Sequence, residues 1–131
     1  MITEFVKCFM DKKRILEQRF ARKHPEDYLE IVRGVVSLFD MDEGDEADTP
    51  DPNRIYEIDD GECQGTLVFV IGDKSYHPHN YWYVKIGYGS CSGCDTLIGI
   101  RGYSNKKPTQ EEVGEYMILA LHIVQAFKKM D

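Results

Sequence analysis

The feature that most constrains this chain is a double change in the spacing of its apolar residues. Over residues 2–39 they recur at three- and four-residue steps. From Arg54 to Tyr88 they alternate, and from Thr109 to Lys129 the longer spacing returns. A repeat near 3.6 selects helices and a repeat of two selects strands. The predicted order is therefore helices, a sheet, then a helix. Short links between the three central strands favour antiparallel pairing, because parallel neighbours need long crossovers. The expected fold class is α+β. An antiparallel three- to four-stranded meander packs against two N-terminal helices and one C-terminal helix.

The first helix, residues 2–23, places Ile2, Phe5, Val6, Phe9, Leu16 and Phe20 on one stripe, interrupted once by Lys13. His24-Pro25 ends it, since the residue before proline is pushed out of the helical region. A second helix is expected from Pro25 or Glu26 to Phe39, with a strand over 31–39 as the alternative because valine and isoleucine are so dense there. Thr109 and Glu112 form a capping box that starts the last helix, expected over 109–129, with Lys128 and Lys129 at its negative end. At 131 residues the chain amounts to one domain, 1–131, from which the helix 1–24 can protrude.

Charge is unevenly spread. The net charge is −7, yet residues 1–25 carry a local +4 and residues 40–62 a local −10. An acidic chain repels phosphate backbones, so nucleic acid is a disfavoured partner and a protein partner a favoured one. The basic helix can still touch a phosphate locally, although a solvated helix face accounts for its lysines and arginines. Segment 40–53, DMDEGDEADTPDPN, reads as a flexible acidic loop, and its ending in TPDPN does not fit a calcium loop. No apolar run is long enough to span a membrane and no leader pattern opens the chain, which points to the cytoplasm.

Strands are expected from Arg54 (RIYEI), over Cys63–Ile71 (CQGTLVFVI) and over Tyr81–Tyr88 (YWYVKIGY). Thr96–Ile100 is open between a fourth short strand and a helical turn. The last strand runs into GSCSGC, where Cys91 and Cys94 are spaced to close on one metal ion or to form a redox pair. His77 and His79 could complete a zinc site. The intervening strand, about 26 Å long at ~3.3 Å per residue, puts them at the opposite end of the sheet. Antiparallel pairing would instead bring Cys63 beside Cys91 and Cys94, the set that could hold zinc. Asp59, Asp60 and Asp95 belong to the same end, where carboxylates can serve as acid–base groups or simply as turn formers. No cofactor is otherwise implied. No nucleophile elbow, phosphate-binding loop or zincin motif is present.

IDDGECQGTLVFVI (58–71), YGSCSGCDTL (88–97) and LALHIVQ (119–125) together resemble a group of small phage-encoded proteins of uncharacterised function. The resemblance covers about half the chain and implies a protein acting in the host cytoplasm, with no reaction to carry over. The favoured expectation is a non-enzymatic module that engages a host protein, such as a component of a defence system. Its contacts would be the acidic surface and a loop comprising Tyr88, Ser90, Cys91, Ser92, Cys94 and Asp95 with Asp60. A metal- or thiol-dependent enzyme centred on Cys91 and Cys94 is the first alternative, and a protein that sequesters a small ligand is the second. The oligomeric state is left open.

Overall fold

A computed structural model of the protein describes residues 2–41, 45–59, 65–88, 100 and 106–130. Helix α1 (Ile2–Arg22) and helix α2 (Tyr28–Asp40) are followed by a 3₁₀ turn at Glu46–Asp48 and by strands β1 (Pro50–Asp59), β2 (Gly65–Asp73) and β3 (Tyr81–Tyr88). Helix α3 (Gln110–Ala126) and the two-residue strand β4 (Lys128–Lys129) complete the described order. The sheet is antiparallel throughout, in the order β1-β2-β3-β4. The expected α+β architecture is the observed one.

Residues 31–39 are helical. Asp27 caps α2 by accepting the Glu30 amide hydrogen, and the helix buries Ile31, Val32, Val35, Val36, Leu38 and Phe39. Burial on several sides outweighs the modest strand preference of β-branched residues. Helix α1 packs against α2 and α3 through Phe9, Leu16 and Phe20 and does not stand off as an arm. Phe5 ties the layers together. Its ring centroid lies 4.7 Å from that of Phe39 on α2, 6.0 Å from Trp82 on β3 and 5.9 Å from Phe127 after α3. The capping box at the start of α3 forms as expected, with Thr109 Oγ accepting from the Glu112 amide and Glu112 accepting from the Thr109 amide. The Thr109 amide also holds the Glu112 carboxyl below the ordinary glutamate range.

Three boundaries differ from expectation, each for a physical reason. The acidic loop expected over 40–53 is shorter, because α2 runs through Asp40, the 3₁₀ turn forms at 46–48 and β1 begins at Pro50. Two prolines are tolerated there because β1 lies at the edge of the sheet and its register shifts between Pro50 and Ile55. Strand β2 extends through Asp73, so Gly72 and Asp73 belong to the sheet and not to the connection. Helix α3 stops at Ala126. Phe127 turns to extended backbone, its ring goes into the core, and Lys128 and Lys129 pair with Tyr83 and Trp82. The pair read as helix-end cations is thus strand β4.

Candidate functional site

Most of the side chains singled out in the sequence lie outside the described residues. These are Asp60, Cys63, Ser90, Cys91, Ser92, Cys94 and Asp95. Tyr88 closes β3 opposite Gly65. Chain therefore enters β2 and leaves β3 at one end of the sheet, the antiparallel arrangement that the grouping of Cys63 with Cys91 and Cys94 requires. His77 and His79 belong to the connection at the other end, where Gly72 pairs with Tyr81. Among the described residues no cluster of three or more His, Cys, Asp or Glu side chains could hold a metal ion. The one described cysteine, Cys8, is a buried thiol that donates to the Leu38 carbonyl at 3.5 Å.

The 74–80 connection is organised by Asp73, which is completely buried at the end of β2. One carboxylate oxygen accepts from the Ser75 amide at 2.9 Å. The other accepts from the amides of His79 at 2.9 Å and Asn80 at 2.8 Å. Burial by itself would raise the Asp73 pKa, but these hydrogen bonds to the ionised form prevail and hold it below the usual aspartate value. Arg54 on β1 donates to the carbonyls of Asp73 and Ser75, and its guanidinium is paired with Asp51 at 3.5 Å. Lys74 reaches Asp40 at the end of α2, 2.5 Å away. That hydrogen bond and the opposite charge raise the lysine's pKa. Of the acids in the 40–53 segment, Asp40 is therefore occupied in joining helix to sheet and Asp51 in holding Arg54 within β1. Sequence reasoning ended the second strand at Ile71 and left Gly72-Asp73-Lys74 to the connection that follows it. The burial that distinguishes Asp73 has no signature in residue type alone.

The two faces of the sheet are built from alternate residues of the same strands. On one face Phe69, Ile71, Trp82, Val84 and Ile86 are buried against the helices. On the other, the register lines up Tyr56, Val70, Tyr83 and Lys128 in one row and Ile58, Val68 and Lys85 in the next. Directly opposed residues of an antiparallel sheet project from the same face, so each row is contiguous. Tyr56 is 58% exposed, Ile58 55% and Tyr81, one row beyond, 37%. Val68, Val70 and Tyr83 are half-buried by one another and by their neighbours.

An apolar centre of this kind is unusual on a surface with no partner. Its margins are charged in opposite senses. The outer edge of β1 is acidic: exposed Glu57 and Asp59 alternate with Tyr56 and Ile58 and project from the strand's other side, with Asp45, Glu46 and Asp48 just ahead of it, whereas Lys85 and Lys128 lie on the open face at the β3 and β4 side. Among the described residues no strand pairs with the outer edge of β1. Tyr56 and Ile58 were not singled out in the sequence. The signal that could have found them is the register that sets them beside Val70 and Val68, which makes an apolar patch from residues scattered over three strands.

No described helix is long and apolar enough to cross a membrane. No family model, curated protein or solved structure matches the chain.

Proposed function

We propose that this chain is a protein-binding module whose contact surface is the β1 side of the open sheet face. The observation that carries the reading is the exposed row pair headed by Tyr56 and Ile58, continuous with Val68, Val70 and Tyr83. A specific interface needs a desolvated apolar centre, and aromatic residues dominate the binding energy there. A polar rim supplies orientation and selectivity. Here the outer edge of β1, beside Tyr56 and Ile58, carries Glu57 and Asp59 on the strand's other side, with Asp45, Glu46 and Asp48 ahead of it, so a partner that wraps this edge meets acidic groups. The partner that fits is a protein presenting apolar side chains bordered by lysine and arginine. The resemblance to phage-encoded proteins points to a bacterial host protein as that partner, and an inhibitory role would follow from covering its basic surface.

The test compares the full chain with a Tyr56→Ser/Ile58→Ser double variant as baits in bacterial lysate, with captured proteins identified by mass spectrometry. A protein retained by the native chain at low salt should be lost from the variant and weakened by added salt. Reconstituted with the purified partner, the variant should bind at least about tenfold less tightly, the loss expected when an interface anchor is removed. Retention that is indifferent to the double variant would exclude this face. Light scattering on the native chain adds a separate arm. A dimer that the double variant abolishes would make a second copy the occupant and overturn the reading of a different host partner.

A further inference from the structure

A second surface feature lies beside the junction of α1 and α2. A cavity of about 300 Å³ opens between the last two turns of α1, the His24-Pro25 link and the first half of α2. Its size is at the lower end of small-molecule sites. Three cations line it, Arg19 from α1, Lys23 just past its end and Arg33 from α2, against one carboxylate, Glu30. The lining thus sums to +2 within a chain of net charge −7.

Local sequence explains why the cations converge. Gly34 lets the helices approach closely, since a Cβ there would stand 2.8 Å from Leu16 Cδ1 and 3.8 Å from an Arg19 guanidinium nitrogen. Arg19 is thereby drawn over α2, one residue from Arg33. Glu30 does not neutralise the group evenly. One of its oxygens accepts from the Glu26 amide at 2.9 Å and is committed to capping the first turn of α2. Lys23 is paired with Glu26 at 2.9 Å, but both side chains are well exposed, so the exchange of that partner for a ligand costs little.

The inner wall supplies an independent observation. His24 is more than nine-tenths buried and lines the same cavity. Its Nδ1 shares a hydrogen bond with Tyr116 Oη on α3, 2.6 Å away. Its Nε2, on the far side of the ring, is buried without a hydrogen-bond partner. Buried polar atoms are paired in the great majority of cases, so Nε2 marks a residue of this cavity's lining whose hydrogen-bonding capacity is unused among the described residues.

We propose that this cavity binds a small phosphate monoester. Arg19 and Arg33 take the phosphate oxygens with their guanidinium forks, Lys23 supplies a third charge, and the apolar floor of Leu16 and Phe20 receives the esterified group. Paired N–H donors match phosphate geometry better than they match a single-charge anion, and a net charge of +2 matches a dianion. The site is separate from the open sheet face and stands or falls without it.

The experiment titrates the full chain with inorganic phosphate and with glycerol phosphate, read by calorimetry and by NMR of the arginine Nε–H groups and the His24 ring. Sodium acetate and sodium chloride at matched ionic strength report simple screening. The expected result is one saturable site per chain for both phosphates, with shifts at Arg19, Arg33 and His24 and none of comparable size with acetate. Arg19→Gln and Arg33→Gln should each weaken binding about tenfold or more, the effect of losing a charge-assisted hydrogen bond. Arg33→Lys should retain part of it, while Lys85→Gln on the sheet and the Tyr56→Ser/Ile58→Ser variant should leave it unchanged. Responses that acetate reproduces, or an Arg33→Gln loss no larger than that of Lys85→Gln, would overturn the proposal. Both arginines are exposed on helix surfaces, and circular dichroism confirms that each variant titrated is folded.

Discussion

The two faces of the sheet are made of similar side chains and treated oppositely. Phe69, Ile71, Trp82 and Val84 lie on the helix side, none more than 2% exposed. Tyr56, Ile58, Val68, Val70 and Tyr83 lie on the other, and their two edge members are more than half exposed. A strand that is apolar on both faces belongs in the middle of a layered structure, where each face has something to cover it. Among the described residues the helices cover one face only. The difference teaches that the open face is apolar for a reason other than the fold's own packing, and stability and binding should separate cleanly between the two.

The largest effect that would sharpen this contrast is Phe69→Ala. The ring is fully buried in the core cluster between the sheet and the helices. The expected loss is about 3–5 kcal/mol, combining transfer and cavity terms. Urea unfolding followed by circular dichroism measures it. A loss as small as that for a surface site would mean that the helix layer is not packed on this face as described.

Asp73 comes next and tests whether the buried face tolerates charge because that charge is fully bonded. It follows Phe69 and Ile71 in the same alternation and is equally buried. Asp73→Asn keeps the shape but replaces one accepting oxygen with an NH₂ group facing amide donors. The expected cost is about 2 kcal/mol near neutral pH. The pH dependence has a definite sign. The folded-state pKa is depressed, so this carboxylate stabilises the fold fully above its unfolded value of about 3.9, and the contribution is lost as pH falls through the lower folded value. Unfolding midpoints of native and Asp73→Asn proteins should therefore converge progressively as pH falls below about 4. A gap that stays constant with pH would show that the carboxylate's ionisation is not what orders residues 74–80.

Much of this fold was legible before any coordinates, and the parts that were not share a cause. The period changes placed three helices and the central strands. Tyr81–Tyr88 was bounded to the residue because YWYVKIGY alternates between clear punctuation, and the Thr109–Glu112 box fixed a helix start by local hydrogen bonding alone. Pro50 and Pro52 misled because proline breaks an interior strand, and only the sheet order reveals that β1 is at an edge. Lys128 and Lys129 misled because Phe127 is held in extended backbone by its burial against Phe5 and Phe39, a tertiary effect. The site was less legible. Cys91, Cys94 and their neighbours drew notice as a motif, yet the apolar patch and the cavity at His24 are made by register and helix crossing. Neither leaves a string of adjacent residues to read.

The smallest expected effect is the one that would break the comparison most directly. Tyr56→Ser/Ile58→Ser removes two large apolar side chains from β1, the edge strand of a sheet whose other face carries the same kind of residue on β2 and β3. If the open face served folding, the double variant would be destabilised in proportion to the area lost. Both side chains are more than half in water already, so little transfer free energy is at stake, and serine is a poorer strand former by only a fraction of a kcal/mol per site. The expected change is about 1 kcal/mol or less for the pair, measured by the same urea unfolding as Phe69→Ala. A loss approaching that of Phe69→Ala would assign Tyr56 and Ile58 to the fold's own packing and remove the argument for a partner. Near-native stability together with lost binding would leave the patch with one role, because residues that the fold does not need are then needed for contact.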